Sequence, residues 1–209
     1  MNLNKTKKIA ISNRNLLTGT DIYNQQVKNK LLDRIRHIAS NHLADALILR
    51  EKDLAEDQYE DLAEAALEIC EREHFPLILH HFADVALEYS PVPPLHVSVP
   101  DFIALKQSSC RFGKGPFPSL GVSTHTVEEA RMAEEMGASY ITASHIFLTQ
   151  CKPGLEPRGL DYLREVCEAV SIPVYALGGV HPDRIQSCLD AGASGVCMMS
   201  EYFGPKLKL

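Results

Sequence analysis

The sequence predicts an α/β protein, a single-domain (β/α)8 TIM barrel with short helices. Three observations predict it. First, eight short apolar runs alternate with longer amphipathic stretches: residues 9–12, 46–49, 76–79, 95–97, 120–123, 140–142, 174–177 and 196–199. Each is bounded by polar, Gly or Pro residues, as expected for strands buried on both faces. Second, one local pattern recurs. Glu135-Met136-Gly137-Ala138-Ser139 and Asp190-Ala191-Gly192-Ala193-Ser194 each end a helix, stop it with glycine and start a strand. Glycine closes a helix in the left-handed conformation without steric cost. Third, the two copies lie 55 residues apart, which is two strand–helix units of about 27 residues. Eight such units use close to the whole chain. A doubly wound open sheet is the structural alternative.

The helices follow from the same reading. Residues 57–73 repeat Tyr59, Leu62, Ala66 and Ile69 at helical spacing among acidic residues. Residues 127–136 start behind Thr126, a cap with Glu129 placed for a capping box. Residues 182–190 open on Pro182, which a first helical turn tolerates. The proline-rich stretch 90–100 and the Gly/Pro-bearing stretch 107–118 are the weakest parts of the pattern. No linker separates two domains, so residues 1–209 are read as one. The chain stops soon after the eighth strand, so the last helix is short or missing. That leaves apolar barrel surface to cover and predicts a homo-oligomer.

Composition removes several function classes. Lys and Arg number 21 against 27 Asp and Glu, a net charge of −6, and no long basic run occurs. A nucleic-acid footprint is therefore not expected. No run of ~18 apolar residues exists to span a membrane. The polar, basic residues 1–8 are not followed by a long apolar segment, so no secretory signal is read. Six cysteines (Cys70, Cys110, Cys151, Cys167, Cys188, Cys197) lack C-x-x-C spacing. They read as reduced thiols of a cytoplasmic protein.

A parallel barrel carries its functional groups at the C-terminal ends of the strands. Arg50-Glu51-Lys52-Asp53 follow the second strand, His80-His81 the third, and His96, Ser98 and Asp101 the fourth. Ser123-Thr124-His125 follow the fifth strand, Leu177-Gly178-Gly179 the seventh, and Met199 and Ser200 the eighth. Gly178-Gly179 stand before a helix, where backbone N–H groups approach an anion closely and the helix dipole favours it. A plain tight turn is the alternative. Ser200 adds a hydroxyl. The long loop after the sixth strand places Thr149 and Lys152 for an anionic ligand. His145 follows small residues, and its imidazole suits a proton shuttle over the barrel mouth. A satisfied structural histidine is the alternative. His80 and His81, adjacent at a strand end, point to opposite faces and do not chelate one ion together.

These residues bring a family into view. Leu49-Arg50-Glu51-Lys52-Asp53-Leu54 resembles the L-R-E-K-D-L segment of the thiamine phosphate synthase/TenI family. Gly121-Val122-Ser123-Thr124-His125-Thr126 resembles it too, as do residues 140–152, Arg158-Gly159-Leu160, Ile172-Pro173-Val174, Gly178-Gly179 and Ala191-Gly192-Ala193. The matches run from Leu47 to Tyr202, while residues 1–40 diverge. The resemblance implies a (β/α)8 barrel with a phosphate site in its last two loops. It also implies one of two activities.

The synthase branch couples an aminopyrimidine diphosphate to a thiazole phosphate with Mg²⁺. Its third loop usually carries Asn-Asp, where this chain has His80-His81, although Asp101 matches a second metal carboxylate. The tautomerase branch carries a histidine in the sixth loop, then a string matched here by Thr149-Gln150-Cys151-Lys152-Pro153-Gly154-Leu155-Glu156-Pro157-Arg158-Gly159. It aromatises a carboxythiazole phosphate by a proton shift without a metal. The expectation is therefore a thiazole tautomerase with no cofactor and His145 as general acid/base. A small-molecule thiazole phosphate is held by Gly178, Gly179, Met199 and Ser200, with Ser123 and Thr149 in the binding set. Arg50, Lys52 or Lys152 would pair with its carboxylate. The alternatives are a Mg²⁺-dependent synthase using Asp101, and a non-catalytic regulator that binds thiazole phosphate.

Overall fold

The computed structural model describes residues 8–108, 115–149, 154–205 and 207. Its strands are β1 (Lys8–Ile11), β2 (Ala46–Leu49), β3 (Leu77–His80), β4 (Leu95–Ser98), β5 (Leu120–Thr124), β6 (Tyr140–Ser144), β7 (Val174–Leu177) and β8 (Gly195–Met198). They pair in parallel in chain order, and β8 pairs with β1, closing the barrel. The open-sheet alternative is thereby removed. Each strand falls within two residues of its apolar run. The described part of the divergent first forty residues, 8–40, supplies the first strand: Ile9 and Ile11 enter the barrel interior.

The helices are α1 (Arg14–Thr18), α2 (Gln25–Ser40), α3 (Glu56–Arg72), α4 (Ala83–Leu87), α5 (Val99–Ser108), α6 (Val127–Glu135), α7 (Gly159–Ala169), α8 (Ile185–Asp190) and α9 (Ser200–Phe203). Residues 182–190, expected as one helix, open as a 3-10 turn, Pro182–Arg184, before α8. α3 buries Tyr59, Leu62, Ala66 and Ile69, the stripe its spacing predicts. Thr126 Oγ1 accepts the Glu129 N–H at 3.1 Å. The Glu129 carboxylate reaches back one residue further than a capping box requires, to the His125 N–H at 2.6 Å. Gly137 and Gly192 of the recurring pattern take φ +81° and +99°. The last helix is short, as expected, and its Tyr202 and Phe203 are buried. Arg34 fastens it to α2 by donating to the Tyr202 carbonyl at 2.8 Å. No helix among the described residues is long and apolar enough to cross a membrane.

Two cores result. The larger lies between the sheet and the helices. The smaller fills the barrel and contains Ile9, Ile11, Ala46, Ile48, Ile78, Tyr140, Tyr175 and Cys197. Tyr140 and Tyr175 meet edge to face, centroids 5.6 Å apart at 87°. Tyr140 fits because its neighbour on β5 is Gly121. A Cβ at Gly121 would overlap the Tyr140 ring and the His96 imidazole. Side chains alternate faces along a strand. So the next inward residues, His80, His96, Ser123 and Ser144, form a polar layer above the tyrosines.

Gly121→Ala is expected to destabilise the fold by about 2 kcal/mol or more, because the barrel centre has no slack for a methyl group. Denaturant unfolding of the variant beside the wild type measures it.

Candidate active site

Above the tyrosines the barrel opens into a cavity of about 770 Å³. Every strand or its following loop contributes a wall. Arg50, Ser123, His145, Thr149, Gly178, Gly179, Met199 and Ser200 all line it, so the structure brings eight expected residues to one place. Lys52 does not join them; it is exposed in the turn before α3. Lys152 lies outside the described residues, as do Cys110 and Cys151. Asp101 stands apart from the cavity, in a shallower depression shared with His81 and Glu56. The four described cysteines, Cys70, Cys167, Cys188 and Cys197, are free.

The turn after β7 requires glycine at both positions. Gly178 and Gly179 take φ +99° and +63°, which residues with a Cβ rarely adopt. A Cβ on either would overlap the His145 or Phe147–Leu148 segment that packs against the turn. Arg184 clamps the turn from outside, donating to the Gly179 carbonyl at 2.8 Å while its guanidinium lies 4.7 Å from the Phe147 ring centroid. Phe147 therefore supports the loop. Glu201, next to Ser200, has its carboxylate 3.9 Å from His181 Nδ1.

At β2 the sequence reading missed a buried lock. Glu51 accepts from Ser12 Oγ at 2.8 Å, from the Arg14 N–H at 3.1 Å and from Arg14 Nη1 at 2.9 Å. Arg14 also donates to Asp53 and to the Asp21 carbonyl. Burial raises the Glu51 carboxyl, and the hydrogen bonds from Arg14 and Ser12 pull it back. Ser12 and Arg14 hold Glu51 outside the cavity, and the neighbouring Arg50 lines it. Its N–H donates to the same Ser12 Oγ at 2.7 Å.

The floor is a hydrogen-bonded chain. Tyr140 Oη lies 3.0 Å from His96 Nδ1, and His96 Nε2 lies 2.8 Å from Ser123 Oγ. Burial keeps the Tyr140 phenol protonated, and His96 Nδ1 is its one hydrogen-bond partner. Tyr140 therefore donates to Nδ1, which leaves the proton on Nε2 to donate to Ser123. Ser123 Oγ also accepts from Thr142 Oγ1 at 3.3 Å. Its own proton is thus turned towards the cavity. Burial first, then the charge of Arg50, pushes His96 down to about 3. His80 stacks on His96, centroids 5.9 Å apart, and is likewise held well below the usual histidine range.

Magnesium, which the family resemblance implies for a synthase, finds a poor donor set. Asp101 Oδ2 already accepts from Ser98 Oγ at 2.8 Å and lies 3.0 Å from His81 Nδ1. No group of three His, Cys, Asp or Glu among the described residues could hold a metal ion. A hard cation that prefers several oxygen ligands is not matched by one engaged carboxylate outside the cavity.

A closed barrel with a positive-φ glycine turn after β7 and an arginine after β2, both lining one cavity, defines a (β/α)8 protein with its candidate site at the C-terminal ends of the strands. Comparison with known proteins makes this specific. The family model described as Thiamine monophosphate synthase matches residues 18–202. The thiamine-phosphate synthase of Alkaliphilus oremlandii is 33% identical over 93% of this chain and 86% of its own. That of Roseiflexus castenholzii is 36% identical over 85% and 76%. The thiamine phosphate pyrophosphorylase of Pyrococcus furiosus superposes with a TM-score of 0.77 over 98% of this chain and 90% of its own, at 24% identity, which speaks to the fold. The chain belongs to the thiamine monophosphate synthase family.

These relatives correct the expectation of a thiazole tautomerase, because they are named as synthases over most of this chain. The structure supplies another use for the histidine that suggested it. His145 is buried, its Nε2 makes a long 3.4 Å contact with the Leu155 carbonyl, and its own carbonyl accepts the Arg158 N–H at 3.1 Å. It helps to close the sixth loop.

The depressed histidines set a pH dependence. A group whose folded pKa lies below its unfolded value leaves the unfolded chain binding more protons, so stability falls as pH drops below about 6.5. At pH 5, one such group costs about 2 kcal/mol relative to pH 7. His96→Gln is expected to remove about that much of the pH 7-to-5 loss, read by denaturant unfolding at both pH values.

Proposed function

We propose that this protein is a thiamine-phosphate synthase, a transferase that joins an aminopyrimidine diphosphate to a thiazole phosphate and releases diphosphate. The observation that carries the reading is one cavity with anion-binding groups on two sides. Gly178, Gly179 and Ser200 stand at β7–β8, and Arg50 stands separately, after β2, two strands from β8. A single phosphate ester needs the first set. A second, diphosphate-bearing substrate gives the second set its use. The names and coverage of the relatives support the same choice.

In this reading the chain does three things. The glycine turn and Ser200 hold the thiazole phosphate through backbone N–H groups and a hydroxyl. Arg50 faces the diphosphate and stabilises the charge that grows on it as the carbon–oxygen bond breaks, a role suited to a guanidinium. The walls, with Ile11, Ile48, Leu177 and Met198, keep water from the electron-poor carbon. The thiazole nitrogen then forms the new carbon–nitrogen bond, and diphosphate leaves with the electron pair. No proton needs to move, which suits a floor of neutral imidazoles.

A coupling assay with both substrates, following thiamine phosphate and released diphosphate, tests the reading. Binding of thiazole phosphate without any coupling would overturn it. Arg50→Gln is expected to raise KM for the aminopyrimidine diphosphate at least ~10-fold, while KM for thiazole phosphate stays within about two-fold. Ser200→Ala is expected to show the reverse selectivity, by a few-fold, since it removes a neutral hydrogen bond.

A further inference from the structure

His80 is the one floor residue with an unanswered polar atom. Its Nδ1 is sealed inside the wall and has no hydrogen-bond partner among the described residues. The residue is 9% exposed and lines the cavity. Its backbone is pinned by the His80 N–H donating to Tyr59 Oη at 2.9 Å, and Tyr59 Oη donates in turn to the Leu49 carbonyl at 2.7 Å. The ring is held against His96 at an interplanar angle of 22°. It therefore has little freedom to seek a partner elsewhere.

A neutral imidazole has one donor and one acceptor nitrogen. An N–H stranded on the sealed Nδ1 would be an orphaned buried donor, which folded proteins rarely tolerate. The proton belongs on Nε2, the nitrogen not sealed in the wall. His80 thus offers a fixed donor at the cavity floor, and a donor buried there calls for an acceptor on the ligand.

The location decides what carries that acceptor. In the closed strand order, β3 and β4 lie across the barrel from β7 and β8. The phosphate turn and the imidazole floor are therefore at opposite ends of the cavity. The floor carries no net charge, since its two imidazoles stay neutral, whereas Arg50 sits at the rim. An anion gains more at the rim and a flat neutral ring gains more on the floor, where it stacks as His80 and His96 do.

We propose that His80 selects the aminopyrimidine, its Nε2–H donating to a ring nitrogen of that substrate. The inference rests on the synthase reading and deepens it. Departure from Asn at this position then has a purpose: the site trades an amide for a flat donor.

Calorimetric titrations of the full chain test it with two probes, the aminopyrimidine alcohol without phosphates and inorganic pyrophosphate. His80→Phe should weaken the alcohol at least ~10-fold and leave pyrophosphate within about two-fold. His80→Gln, which returns an N–H near the Nε2 position, should recover most of the loss. Weakened pyrophosphate with unchanged alcohol would assign His80 to the diphosphate and overturn the proposal. No change in either, or a Gln variant no better than Phe, would also overturn it.

A measurement on the wild type removes any dependence on variant folding. Two aminopyridine counterparts of the alcohol each replace one ring nitrogen by C–H. One of them should bind at least ~10-fold more weakly; equal binding of all three defeats the proposal. The coupling assay separates the two levels. Wild type that couples while His80→Phe binds the alcohol normally removes only the role of His80. Wild type that neither couples nor binds the alcohol removes the functional reading and this role with it.

Discussion

Tyr140 lies across the barrel beside a glycine, and its hydroxyl must find a partner there. A parallel barrel of eight strands has an interior just wide enough for side chains to fill. Here two buried tyrosines do most of the filling. Burying a ring of this kind removes roughly 150–250 Å² from water, worth about 4–6 kcal/mol before conformational entropy is charged. That gain brings a phenol into the apolar centre, where an unpaired hydroxyl costs a few kcal/mol. His96 answers it at 3.0 Å. Once Nδ1 accepts, the tautomer is fixed, Ser123 must accept from Nε2, and the Ser123 proton turns upward. A packing constraint at the bottom of the barrel thus sets the hydrogen-bond polarity of the floor of the site.

The same economy of burial separates neutral from charged groups. Imidazoles inside the barrel stay uncharged because burial penalises their protonated form. The charged residues that do enter the protein near the mouth are paired. Glu51 is nearly sealed, with its partner Arg14 4% exposed at the side chain. Breaking a buried pair of this kind costs about 3–5 kcal/mol, so the lock is rigid. Its position matters more than its net worth. By holding Glu51 outside the cavity, it leaves the preceding residue, Arg50, to line the cavity, while Lys52 is exposed in the turn that follows.

Much of the architecture is legible in the chain because it depends on local rules. Apolar runs of four or five residues, glycine at helix ends and a repeat of about 27 residues are properties of short stretches, and all eight strands land where these stretches lie. The glycine turn and Ser200 could be placed for the same reason. The lock between Arg14 and Glu51 is not local; its partners are 37 residues apart. The floor had a signal that went unused. Alternation from Ile78, which points inward, places His80 inward too and sends His81 outward. What no spacing rule supplies is the Tyr140–His96 contact, across 44 residues, that gives the floor its polarity. His145 joins two features that no spacing rule reveals together: it lines the cavity, and its carbonyl braces the sixth loop.

The third loop shows how one substitution redistributes charge at the mouth. Where the family pattern sets Asn-Asp, this chain has two histidines, one facing in and one facing out. The inward imidazole joins the neutral floor. The outward one meets Asp101 at 3.0 Å, so the remaining carboxylate of that corner has a protein partner and is drawn away from the cavity. Two carboxylates facing a diphosphate would repel it unless a cation stood between them. With one carboxylate replaced and the other engaged, that corner presents less negative charge to the cavity that Arg50 lines. The histidine pair and the missing metal carboxylate are thus two sides of a single electrostatic change.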